Sequence, residues 1–168
     1  MKGIVSLADL VARGGVGYAL KGSNPREVIE AASSLVALPE SIDREGLCRA
    51  LLEREGLLST AIGRGLALPH PRNNLHFTAE TQRVALFFTA EPIDFAALDG
   101  QRVFALFIVL SADPRSHLGV LAELAHLSRR EDFHALLSRR PAEAELVSWL
   151  RNYESGWNQG GLKPDPTR

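Results

Sequence analysis

The sequence predicts an α/β domain of three layers, with helices on both faces of a mixed central sheet. Three observations lead there. The segments "RVALFFTA" and "RVFALFIVLSA" are almost continuously apolar, the pattern of strands buried on both faces. Segments of helical period stand both before and after them in the chain. The order reads as one strand, two helices, about three strands and about three helices, which is not the regular alternation of a Rossmann fold. With 168 residues, 45% of them hydrophobic, the chain has enough apolar surface for one sizeable core.

Taken in order, "SLADLVA" is a short helix ended by Gly14 and Gly15, and "VGYAL" (16–20) a first strand. "SNPREVIEAASSLVAL" carries a helix-start signature, with Ser23 or Asn24 as cap, Pro25 at the first helical position and Glu27 in the first turn. Its apolar positions Val28, Ile29, Ala32, Leu35 and Val36 recur at helical spacing. After the polar connection "LPESID", a second helix starts near Asp43, carries Leu47, Ala50, Leu51 and Leu52, and stops at Gly56. "AIGRGLALPH" is the next short apolar segment and reads as a strand. The two long apolar strands follow, and Asp99-Gly100 in the "EPIDFAALDGQ" between them is a turn signal that makes them an antiparallel pair. A helix opens at "ADPRSHLGVLAELAHL", capped by Asp113 with Pro114 at its first position, and its stripe Leu118, Leu121, Ala122, Ala125 reads as core. "REDFHALL" and "PAEAELVSWLRNY" are further helices, Pro141 marking the start of the last. Residues 1–154 form a single domain in this reading, and the Gly- and Pro-rich residues 155–168 a flexible tail.

Composition excludes several function classes. A formal net charge of -1 argues against nucleic acid as main partner, since phosphate backbones recruit a basic surface. The single cysteine, Cys48, excludes an internal disulfide, fits a reducing compartment, and reads as a small core residue of its helix. Asp9 and Arg13 interrupt the apolar start, so it is not a signal peptide, and no run reaches the roughly 20 apolar residues of a membrane span. The expectation is a cytoplasmic protein without direct membrane insertion.

Motif chemistry is eliminated in turn. "GRG" (63–65) lacks the spacing and Lys-Ser/Thr ending of a nucleotide phosphate loop. The histidines (His70, His76, His117, His126, His134) form no His-x-x-x-His pair, which speaks against a metal site. No Gly-x-Ser-x-Gly elbow supports a serine hydrolase. No cofactor is expected. There remains His70, delivered at the end of an apolar segment and bracketed by Pro69 and Pro71. It is either an ordinary loop histidine or a reactive imidazole held on a rigid base, mostly neutral at an ordinary pKa of about 6.5 and therefore nucleophilic.

The stretch "LLEREGLLSTAIGRGLALPH" resembles the signature of the enzyme IIA domain of the bacterial phosphoenolpyruvate-dependent sugar phosphotransferase system, in the fructose/mannitol branch that includes stand-alone nitrogen-regulatory proteins. The pattern is S/T-x-x-G-x-G, three apolar residues, Pro and His, read here by Thr60, Gly63, Gly65, Leu66-Ala67-Leu68, Pro69 and His70. "EPIDFAALDGQ", the apolar strand after it and the helix opening in His117-Leu118 are similar to a second family stretch, so that the resemblance spans roughly residues 4–150. Pro71 departs from it, standing where a small residue is common, and puts the fine loop geometry and partner fit in question.

The resemblance implies the three-layer phosphotransferase IIA fold and a phosphocarrier role. His70 matches the phosphorylated histidine, Arg54 an arginine placed beside it, and His117 a second active-site histidine. A guanidinium there would neutralise charge on a transferring phosphoryl group. The first turn of the helix bearing His117 would favour phosphate through its amides and dipole. Read without the resemblance, Arg54 is equally a solvated helix-end cation between Glu53 and Glu55, and His117 a helix-surface histidine. His76, His126 and His134 have no match and read as surface or core-edge residues. The implied donor is a histidine-phosphocarrier protein, and the implied acceptor a IIB domain or a regulatory target. The alternative is a regulatory binding module on the same fold that is not phosphorylated.

Overall fold

The chain enters its sheet through a helix pressed directly onto a strand. The computed structural model describes residues 5–158. The first helix, α1 (Leu7–Gly14), is capped by the Ser6 side chain on the Asp9 amide and buries Leu7, Ala8, Leu10 and Val11. Gly14 ends it where a Cβ would stand 2.1 Å from the Val84 carbonyl oxygen, so only a glycine permits this approach of backbone to backbone. Strand β1 (Val16–Leu20) follows, then α2 (Pro25–Leu35) and α3 (Arg44–Leu57). Strands β2 (Ala61–Gly63), β3 (Leu66–Ala67), β4 (Arg83–Ile93) and β5 (Val103–Leu110) complete the sheet. Helices α4 (Pro114–Ser128), α5 (Glu131–Ser138) and α6 (Glu143–Asn158) close the described chain.

The sheet is five-stranded in the order β1-β4-β5-β3-β2. β1 runs parallel to β4 and β3 parallel to β5, while β4–β5 and β2–β3 are antiparallel. It is therefore mixed, and the β4–β5 pair is antiparallel as the Asp99-Gly100 turn indicates. Residues along each strand alternate between two cores. Leu66, Val84, Leu86, Phe88, Ala105, Phe107 and Val109 face α1, α4, α5 and α6. Ala67, Ala85, Phe87, Leu106, Ile108 and Leu110 face α2 and α3. Burial on both faces explains the unbroken apolar runs, and the three layers are those the sequence implies.

Local signals hold in detail. Asn24 caps α2 through the Glu27 amide with Pro25 at the first position, and Asp113 caps α4 through the Ser116 amide. Five readings need correction. "AIGRGLALPH" is a hairpin and not one strand. It turns at Arg64-Gly65, where Gly65 has φ +79 and a Cβ would strike the Phe104 ring at 2.5 Å, which accounts for the glycines there. The core stripe of α4 is Val120, Leu124 and Leu127; of the expected Leu118, Leu121, Ala122 and Ala125, Leu121 packs against it partly buried, while Leu118 is 67% exposed, because two apolar stripes compete on this helix. Leu35 of α2 is likewise exposed, and Cys48 of α3 is only half-buried. Finally, α6 begins two residues after Pro141 and runs to Asn158, so residues 155–158 of the expected tail are helical, while 159–168 lie outside the described residues.

The extended α6 also ties the two ends of the fold together. The Glu154 carboxylate accepts from the Ser6 hydroxyl at 2.7 Å and from the Ala8 amide at 3.2 Å, at the positive end of the α1 dipole. Arg151 reaches Asp9 nearby. Among the described residues no helix is long and apolar enough to cross a membrane.

Candidate functional site

His70 leaves the sheet immediately after β3, and the layers on either side each bring one side chain to it. Its backbone is fixed on the sheet: the Leu68 amide donates to the Thr60 carbonyl at 3.0 Å and the Val109 amide to the Pro69 carbonyl at 3.0 Å. Pro69 and Pro71 are both buried, so the loop around the half-buried imidazole is anchored. From the α3 layer, Arg54 Nε donates to His70 Nε2 at 3.2 Å, and its Nη1 donates to the Leu58 carbonyl at 2.7 Å. From the α4 layer, the half-buried His117 ring lies 4.9 Å from that of His70, tilted by 57°. The three residues that the sequence singles out thus meet at one point, although 16 and 47 positions separate Arg54 and His117 from His70 in the chain.

Two contacts fix the state of the imidazole. His70 Nδ1 lies 2.7 Å from the Leu68 carbonyl oxygen, which can only accept, so Nδ1 carries the hydrogen. Nε2 receives a hydrogen bond from Arg54 and therefore presents its lone pair. Burial holds the His70 pKa below the ordinary imidazole value and Arg54 pushes the same way; the Leu68 carbonyl and the Glu55 charge oppose them. Burial likewise lowers His117, with His70 and Arg54 adding to the effect.

The arrangement departs from the sequence reading at α4. The Ser116 amide is taken by the Asp113 side chain and the His117 amide by the Asp113 carbonyl. What this helix end brings to the site is the imidazole and the dipole, not those two amides. His117 Nδ1 faces the Ser111 hydroxyl at 3.4 Å, a long contact.

Four further residues escape motif reasoning. Glu55 accepts from the amide and hydroxyl of Thr60. The Ala112 peptide, between β5 and α4, is held at both ends: Asn74 donates to its carbonyl at 2.6 Å, and the buried Gln82 accepts from its amide at 3.2 Å. Ser111 completes the set. Only Glu55 had a signal, its place five residues before the Thr60 of the motif. Elsewhere His134 Nε2 donates to the Arg64 carbonyl and its ring meets the Phe104 ring edge-on, His76 is exposed, and His126 is half-buried.

The family model for "Phosphoenolpyruvate-dependent sugar phosphotransferase system, EIIA 2" matches residues 12–153. The chain belongs to this family. Within it, the nitrogen regulatory protein of Pseudomonas aeruginosa is 32% identical over 139 residues, covering 80% of this chain and 88% of that protein. The crystal structure of nitrogen regulatory protein IIA-Ntr from Neisseria meningitidis superposes with a TM-score of 0.74 at 26% identity, over 85% of this chain and 97% of that one. The IIA mannitol protein of Escherichia coli, solved in complex with phosphorylated IIB, shares the fold of this EIIA 2 domain with a TM-score of 0.66 at 17% identity, over 85% and 97% of the two chains.

Proposed function

We propose that this EIIA 2 protein is a phosphocarrier that takes a phosphoryl group on His70 Nε2 from a histidine-phosphocarrier protein. The observation that carries the reading is the state of the ring: neutral, with its hydrogen on Nδ1 against Leu68 and its Nε2 lone pair turned toward a guanidinium. In the transfer the Nε2 lone pair forms the new N–P bond while the donor's N–P bond breaks, and the donor imidazole recovers that electron pair. No proton has to leave His70, because the one on Nδ1 stays there, hydrogen-bonded to the Leu68 carbonyl. Arg54 must give up Nε2 to the phosphorus, and its planar fork then has the equatorial phosphoryl oxygens to bind, where charge spreads as the bonds exchange. His117, its ring 4.9 Å from that of His70, is near enough to donate to the same group. Such chemistry depends on positioning and charge neutralisation, and this chain's own residues supply both.

The charged protein then passes the group to a IIB domain or signals by its phosphorylation state. Similarity to nitrogen regulatory proteins over four-fifths of the chain favours regulation. The test is to mix the protein with phosphoenolpyruvate and the general phosphotransferase components and measure intact mass. One phosphate should be gained, and it should be lost in mild acid and kept in base, as a phosphoramidate is and a phosphoserine is not. No gain with cognate donors would leave a binding module that regulates without phosphorylation. A label that survives acid would implicate a hydroxyl, although those of Ser59 and Thr60 are both engaged, with Phe95 and Glu55.

A further inference from the structure

Arg54 and Glu55 are neighbours at the end of α3, and their side chains do different things. Arg54 reaches the imidazole, whereas the Glu55 carboxylate accepts from the Thr60 amide at 3.1 and 3.2 Å and from the Thr60 hydroxyl at 2.5 Å. Thr60 is buried, at 5% exposure. Its carbonyl accepts from the Leu68 amide, and the Leu68 carbonyl accepts from His70 Nδ1 at 2.7 Å. The contacts run without a gap from a carboxylate to the ring nitrogen that decides the tautomer.

We propose that Glu55 is a positioning residue: by clamping Thr60 it fixes the Leu68 carbonyl that keeps the hydrogen on His70 Nδ1 and so leaves Nε2 as the nucleophile. The inference rests on the reading of His70 as phosphoacceptor. A carboxylate suits the task because one group can take two donors of the same residue, and charge-assisted bonds are short and stiff. The charge is felt at the ring, since Glu55 raises the His70 pKa against the pull of burial and Arg54. A cap that served stability alone would leave the imidazole tautomer indifferent to its loss.

The tautomer is read directly by long-range ¹⁵N–¹H correlation NMR on labelled protein above the imidazole pKa, and transfer by the rate of phosphate uptake from a histidine-phosphocarrier protein. In the unaltered protein the Nδ1–H form should dominate. Glu55→Ala should give a measurable Nε2–H population and slow uptake about 10–100-fold, the usual cost of losing a partner that orients a reactive imidazole. Glu55→Gln, which keeps an acceptor oxygen, should recover most of both. Thr60→Val removes only the hydroxyl bond, should act in the same direction more weakly, and serves in place of Glu55→Ala should that variant not fold. An unchanged tautomer in Glu55→Ala (or in Thr60→Val where that variant stands in for it), or an uptake rate in Glu55→Ala within about twofold of the unaltered protein, overturns the proposal. If the unaltered protein accepts no phosphate from any donor while Glu55→Ala still shifts the tautomer, the phosphoacceptor reading falls and the clamp stands.

Discussion

The two histidines of the site are held in different ways. The His70 arm is built from one continuous stretch, residues 54–70, in which helix end, hairpin and strand fold back on themselves and both hydrogen bonds to the ring come from within the stretch. The His117 arm is held from outside. Its junction with β5 is pinned by Asn74 and Gln82, 38 and 30 positions away from Ala112, and its ring meets Ser111 only at 3.4 Å. His70 is thus locked by short-range geometry, and His117 is placed by distant polar clamps with more freedom at the ring.

The sharpest way to break the first arm is His70→Ala, which should abolish phosphate uptake altogether in the mass assay; full labelling of that variant would move the acceptor elsewhere. Arg54→Ala comes next. Losing a preorganised donor to a developing charge costs about 10²–10³ in rate, roughly 2.7–4 kcal/mol. Stability should fall by only about 1–2 kcal/mol, because what is lost there is one solvent-exposed bond to the Leu58 carbonyl and one bond to His70 Nε2. Arg54→Lys should restore part of the rate, since a point charge cannot reproduce a planar fork. Stopped-flow transfer beside a thermal melt separates the two effects.

The second arm should break the other way round. Gln82→Leu leaves the Ala112 amide without its partner and should cost about 1–3 kcal/mol of stability. For a chain of this size that is roughly 2–4 °C of Tm per kcal/mol. Uptake should slow only a few-fold, about 5-fold or less if His117 keeps most of its contact with the site. The His70 tautomer should not change; a change would show that the arms are coupled.

The smallest effect is on pH. Both imidazoles have folded-state pKa values below the unfolded one of about 6.5. Between the folded and unfolded values the unfolded chain binds more protons, so stability is full above about pH 6.5 and declines as pH falls through the folded values. His70→Ala and His117→Ala should each flatten this acid limb in denaturant titrations. NMR titration should place both pKa values below the ordinary one, and a raised value for His70 would contradict its burial beside Arg54.

The same contrast explains what was legible in the sequence. Period and caps disclosed the layers, because buried strands and Asn24-Pro25 or Asp113-Pro114 starts are decided by neighbours in the chain. Arg54, His70 and His117 were legible through the motif they share with a known family. Gln82 and Asn74 were not, because an amide that serves a residue 30 or 38 positions away leaves no periodic trace, and nor was Ser111, a lone hydroxyl beside His117 with no motif around it. The α4 stripe failed for a related reason: the helix offers two apolar stripes, and only the approach of the sheet selects Val120, Leu124 and Leu127.

The Glu154 staple has a topological consequence. Residues 6 and 154 share a hydrogen bond across 148 positions of chain, so the path through the fold is a circuit that ends where it starts. A module of this kind can be spliced into a longer polypeptide without stretching it, since the way in and the way out lie side by side. It is equally a substrate for circular permutation: joining the ends would only formalise a closure that Ser6, Ala8 and Glu154 already make, and an exposed turn such as Ala97–Gly100 offers a place to cut the circuit open.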